Sequence, residues 1–259
     1  MERRSFFVAA FVVITLGTTA LAEAIPVRHI QRPMHRFMEA RSEAGTIIAS
    51  GEFSQFVQGD EVTMRLTYKF VDGSIDDETT TYRQRGTFRL VRNHHIEKGP
   101  FFVKPVDFTV EAATGIATSR TADKNGNIHV ESHHIDLPDD LANGFVGTLL
   151  LNVPHNTTPF RVGMLAPVAG GRLIHILISP EGEQQFHTEG QTLKAAMFRI
   201  HPELGGIVGV LAPLLGLQPK DVIVWVLEGE EPAVVRIVGQ LGGYGPVVSS
   251  DLEGTSFGK

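Results

Sequence analysis

A mainly β fold is predicted for this 259-residue chain: a curved antiparallel sheet, a half-barrel or a barrel, with one or two short helices packed on it. Three observations carry the prediction. Val62, Met64, Leu66, Tyr68 and Phe70 alternate strictly with polar residues, the period of a strand with one buried face. About ten to twelve short stretches of this kind recur, with turn signals roughly every 8 to 12 residues, as in antiparallel sandwiches and barrels. No βαβ alternation is present, which argues against a parallel nucleotide-binding sheet.

The chain opens on an export signal. Arg3 and Arg4 precede an apolar run from Phe6 to Leu16, and Ala20-Leu21-Ala22 has the small-x-small form of a cleavage site. The run covers about 17 Å as a helix, short of a hydrocarbon core of about 30 Å. Residues 1–22 are therefore expected to be a signal peptide cut after Ala22, with Ala24 a second possible site and no transmembrane anchor left after cleavage. The product is expected to be periplasmic or extracellular. Residues 23–44, with Pro26, Pro33, His29 and His35, are read as an N-terminal arm, either a connection or a short surface helix.

Strands then follow in order. Gly51 to Phe56 and Glu61 to Phe70 come first, and Asp72-Gly73 tolerates the positive φ angles of a two-residue hairpin turn leading into Thr79 to Val91. Val106 to Val110, Gly115 to Ser119 and Ile128 to His134 continue the pattern. So do Phe160 to Pro167, Arg172 to Ser179, Gln184 to His187, Leu193 to Ile200, Val222 to Leu227 and Val234 to Val238. Residues 45–238 are expected to form a single β-rich domain, followed by a Gly-rich tail over 239–259. Two segments interrupt the strands. Asp136 to Asp140 carries helix-start signals, and Leu141, Phe145 and Leu149 at spacing four predict a helix of about three to four turns. Leu204 to Leu217 is apolar all round and holds four glycines and Pro213; it reads as a buried helix, a tight loop or a mobile apolar flap.

Composition narrows the function. Removing Glu2, Arg3 and Arg4 with the signal leaves 21 basic against 28 acidic residues, net −7, which gives nucleic acid no broad electrostatic reason to bind. The chain has no cysteine, so thiolate metal sites, cysteine nucleophiles, disulfides and a lipid anchor on a cysteine are excluded.

The chemistry-bearing residues are histidines and acids. Eleven histidines include His94-His95 and the group His129, His133 and His134. On a strand, His129, Glu131 and His133 share one face. With His94 and His95 they could form a divalent-metal site, or they are the wet face of a strand that points Ile128 and Val130 inward. Asp123 to Asn127 resembles the start of a calcium loop, but its glycine and twelfth residue are misplaced, and a type I′ turn at Asn125-Gly126 explains it better. Asp76-Asp77-Glu78 reads as a solvated loop, with a cation site as the alternative. No Gly-x-Ser-x-Gly, His-Glu-x-x-His, Ser-x-x-Lys or phosphate-loop pattern is present.

Phe70 to Thr79, Glu97 to Pro100, Asp136 to Gly144, Ile178 to Glu183 and Leu204 to Trp225 resemble an uncharacterised family of exported bacterial β-rich proteins, a domain of unknown function. More distantly the layout is similar to periplasmic lipoprotein-carrier-like half-barrels, which implies a curved antiparallel sheet with a helix across its mouth. The ending departs from that family, because Gly239 to Lys259 replaces an aromatic, basic last strand. The resemblance implies no catalytic residues.

Two functional readings follow. In the first, the chain is a non-catalytic exported protein that holds a hydrophobic small molecule or lipid, or docks an envelope partner protein; Leu141, Phe145, Leu149, Ile207, Val210, Leu211 and Leu214 are the apolar candidates and no cofactor is needed. In the second it is a metal-dependent hydrolase using His94, His95, His129, Glu131 and His133. A structural or interaction protein without ligand is the remaining alternative.

Overall fold

The computed structural model describes residues 24–123, 125–168, 170–205, 219–241 and 245–257. The expected signal peptide lies outside the described residues, and so do residues 206–218, which hold Ile207, Val210, Leu211 and Leu214.

The described residues form fifteen strands and one short helix. The strands are β1 (Met34–Ser42), β2 (Ile47–Gln58), β3 (Glu61–Phe70), β4 (Ile75–Arg85), β5 (Thr87–Lys98), β6 (Val106–Glu111), β7 (Ile116–Ala122) and β8 (Ile128–His134). The helix α1 (Val146–Leu150) intervenes before β9 (Phe160–Ala166), β10 (Arg172–Thr188), β11 (Gln191–Glu203), β12 (Val222–Leu227), β13 (Ala233–Gln240), β14 (Val247–Leu252) and β15 (Thr255–Phe257). All belong to one antiparallel sheet ordered β15-β10-β11-β12-β13-β14-β1-β2-β3-β4-β5-β6-β7-β8, with β9 paired to β10 off this path. The sheet does not close into a barrel: β8 and β9 have no ladder with each other.

Three expectations are corrected. The arm contains β1, which joins the two halves of the sheet by pairing with β2 and with β14. The Gly-rich tail contains β14 and β15. The helix expected across Leu141 to Leu151 reduces to the five residues of α1, because the residues before it serve another purpose. Asn143 Nδ2 donates to the Leu165 carbonyl and the Leu165 N–H donates to Asn143 Oδ1, both at 2.8 Å. The Ala142 N–H donates to the Gly163 carbonyl at 2.8 Å, and the Gly163 N–H donates to Asp140 Oδ2 at 3.1 Å. Residues 140–143 therefore satisfy the backbone of β9, a position that a regular helix cannot fill. Gly144 follows at φ +73°, where an added Cβ would lie 2.0 Å from Thr80 Oγ1; only glycine fits that approach.

The turns differ from expectation in the same direction. The Phe70 N–H donates to the Ser74 carbonyl and the Gly73 N–H to the Phe70 carbonyl, so the loop has three residues with Gly73 at φ +86° instead of two. Asp123 and Asn127 close a loop of the same length around Gly126. The stretch Thr79 to Val91 spans parts of two strands, β4 and β5, which turn at Gly86.

Packing falls into three cores. The main one joins β3 to β6, β9 to β12 and α1, and centres on Tyr82, Phe145, Leu150, Phe198 and Val226; Tyr82 and Phe145 stack with ring centroids 5.0 Å apart. A second lies on β1 to β3 with Phe102. The third holds Phe186, Ala195, Trp225 and Val235. Neighbouring strand residues face opposite ways, so β12, with Val224 and Val226 in the main core and Trp225 in the third, is buried on both faces.

Asn143→Ala removes both bonds to Leu165 and leaves a buried N–H and C=O unpaired. A loss of about 2–4 kcal/mol is expected, read as a lowered midpoint in urea unfolding; a loss under about 0.5 kcal/mol would show that β9 does not depend on this side chain.

Candidate functional site

Register across β3 to β6 brings titratable side chains onto one face. Asp76 lies opposite Glu97, Glu78 opposite His95 and Thr80 opposite Asn93 on β4 and β5. This face also carries Tyr82 and the main core, so it is the inner face. On the flanking strands the positions opposite Asp76 and Glu78 are Tyr68 and Leu66, and those opposite Glu97 and His95 are Val106 and Phe108.

His95 Nε2 lies 2.9 Å from Asp76 Oδ1 and 3.7 Å from Glu97 Oε1. Asp76, His95 and Glu97 are a group of potential metal ligands whose donor atoms all fall within 4.8 Å of one another. The Glu97 side chain is 3% exposed and that of His95 25%. Asn93, itself buried, donates from Nδ2 to Glu78 Oε1 and to Thr80 Oγ1, each at 2.9 Å. Gly144 approaches the same atoms from above, since a Cβ there would lie 2.9 Å from Glu78 Oε1. The Tyr68 hydroxyl bonds to Ser250 Oγ on β14, and burial pushes its ionisation up to about 12.

The electrostatics are unbalanced. Burial alone lowers the basicity of the His95 ring, but Glu78, Asp76 and Glu97 outweigh it and hold the imidazole protonated up to about 10. Burial pushes the Glu97 carboxyl up to about 7, opposed by His95 and reinforced by Asp76 and Glu78. Asp77, one residue along, faces the other way: Arg65 bonds it at 2.8 and 2.6 Å and holds its carboxyl below the usual range. Asp76-Asp77-Glu78 is thus not a solvated loop; it lies within β4, split between the faces.

The histidines expected to act together are separated. His94 projects to the outer face, where its Nε2 lies 3.0 Å from Asp107 Oδ1. His129, Glu131 and His133 stand on β8 opposite Thr121, Ser119 and Ala117. That register puts them on the inner-face side, three strand spacings or about 14 Å from His95. It also turns Ile128 and Val130 outward, 62% and 57% exposed, the reverse of the expected orientation. His129 meets Asp123 at 3.5 Å. Of the apolar candidates, Leu141, Phe145 and Leu149 fill the main core at 1–3% exposure, and Leu141 also borders a surface groove of about 430 Å³. Glu97 escaped the sequence reading because its partners are set by cross-strand register. Its alternation with His95 on one strand is the signal that was available.

No family model matches the chain, and no curated protein matches it significantly. Among solved structures it is similar to a beta-barrel-like protein of domain of unknown function DUF1849 from Brucella abortus, at 10% identity and a TM-score of 0.47, over 90% of this chain and 100% of that one.

The shifts of His95 and Glu97 set a pH dependence. Both groups hold protons more tightly in the folded protein than their ordinary values of 6.5 and 4.5. The stability this adds is complete below those values and lost as pH rises through about 7 for Glu97 and about 10 for His95. In metal-free buffer the unfolding midpoint is expected to fall between pH 7 and pH 10, less steeply in a variant carrying His95→Gln with Glu97→Gln. An NMR titration of the His95 ring with a midpoint at or below 6.5 contradicts this account.

Proposed function

We propose that the chain is exported, sheds residues 1–22, and serves as a non-catalytic envelope protein that binds a hydrophobic, lipid-like ligand. The observation that carries this reading is the groove of about 430 Å³, within the size range of small-molecule sites. Its walls are apolar at Leu90, Val91, Ala112, Leu137 and Leu141, and two guanidiniums, of Arg83 and Arg89, join them. Apolar walls beside guanidiniums match an amphiphile with an anionic head group. Arg89 is held by Asp139 at 3.1 Å, and the Asp139 side chain is 88% exposed; a ligand carboxylate would take its place at little desolvation cost.

The test uses the full-length protein recovered after export. Its intact mass should lack residues 1–22, and native mass spectrometry should show a co-purifying amphiphile. A fluorescent long-chain fatty acid should bind, and Ala113→Trp, a substitution at an exposed groove residue, should weaken binding at least tenfold. Retention of the leader overturns the export reading. A protein that carries no amphiphile and binds the probe no better than Ala113→Trp does is left with a docking or structural role.

A further inference from the structure

We propose that the inner face of β4 and β5 is a binding site for one divalent transition-metal cation, Mn2+ or Zn2+, with the carboxylates of Asp76 and Glu97 and His95 Nε2, whose proton is released to solvent as the ion binds, as ligands. The site is separate from the groove and does not depend on it.

Spacing supports the donor set. Ligands about 2.1 Å from a common ion stand roughly 3–4 Å apart, and the separations from His95 Nε2 are 2.9 Å to Asp76 and 3.7 Å to Glu97. One nitrogen with carboxylate oxygens suits first-row divalent ions at the harder end of the series. The three ligands come from two adjacent strands whose register fixes them, Asp76 directly opposite Glu97 and His95 two residues before Glu97.

A second observation concerns Glu97. Its side chain is 3% exposed, and no described residue gives its carboxylate a hydrogen bond. Its nearest cationic neighbour is His95 at 3.7 Å. A buried carboxylate is ordinarily paired and hydrogen-bonded, because burial strips it of the water that would otherwise solvate its charge. Here three carboxylates, with Glu78, face one imidazole, and the flanking positions Leu66, Tyr68, Val106 and Phe108 bring no lysine or arginine. A divalent cation offsets that surplus. Glu78, oriented by Asn93 at 2.9 Å, stands behind the ligands as the group that orients or completes the shell. The quarter of the His95 side chain that remains exposed leaves a route for the ion.

The experiment takes tag-free, full-length protein stripped with a chelator and dialysed against Zn2+ and Mn2+ in turn, with bound metal measured by mass spectrometry and affinity by competition with a chromogenic chelator. About one ion per chain is expected. His95→Gln and Glu97→Gln should each weaken binding at least tenfold, while a variant carrying His129→Ala with His133→Ala keeps wild-type affinity. Glu97→Gln also separates a ligand from a structural residue: without metal it should melt at or above wild type, and metal should raise the melting temperature of wild type alone. Where Glu97→Gln does not fold, Asp76→Asn removes a ligand in its place, with loss of the metal-dependent rise in melting temperature as the readout. Sub-stoichiometric binding of both ions, or binding lost with His129 and His133 and kept without Glu97, overturns the proposal.

Discussion

The docking of residues 140–143 on β9 is the interaction from which much of the remaining structure follows. Among the described residues β9 is the one strand off the main path of the sheet, and one of its sides would otherwise present unpaired backbone groups to the core. Asp140, Ala142 and Asn143 take those groups. Because they do, β9 needs no ladder with β8 and the sheet stays open. The same docking sets the chain direction that drops Phe145 onto Tyr82 and carries Asn152 to the base of the N-terminal segment, where its Oδ1 accepts from the Arg28 and His29 N–H groups at 2.8 and 2.7 Å. Four polar groups on one short segment thus connect the open edge, the main core and the first residues of the fold.

What could be read from the sequence follows a simple division. Periodicity and turn residues are local, and the strands that depend on them were legible: the limits of β3, β8 and β12 coincide with the stretches named from pattern alone. The arm and the tail were not, because β1 and β14 pair with each other from opposite ends of the chain, a partnership that no local pattern reveals. The helix was overextended for a related reason. Leucines and phenylalanine at spacing four serve equally well in a core plug, and the hydrogen bonds that decide between the two involve Leu165 and Gly163, some twenty residues away. His95 stood out as a residue, whereas its grouping with Asp76 and Glu97 required a register that alternation does not specify. The neighbouring Asp72-Gly73 turn masked the acids of β4, since three acids after a turn read as its continuation.

Asp77 and Glu97 show how sharply environment separates like groups. Both are carboxylates on paired strands, yet one is depressed by a bidentate guanidinium on the outer face and the other is raised by burial within the sheet. A protein selected for stability alone has simple means to remove the second condition, for example an amide at either position. The contrast comes from the partner each carboxylate meets: two hydrogen bonds from Arg65 for Asp77, and one imidazole at 3.7 Å, shared with Asp76, for Glu97.

The pairing of β1 with β14, through Met38 opposite Leu252 and Ser42 opposite Val248, also has a consequence in time. The centre of the sheet is made by strands from the two ends of the chain, so the segments that emerge first from the ribosome have no partner on one side until almost all of the rest has been made. Contacts of such long sequence separation form slowly. Consecutive strands such as β2 to β8 find their neighbours locally, whereas the two halves of the sheet join only when the last strands arrive.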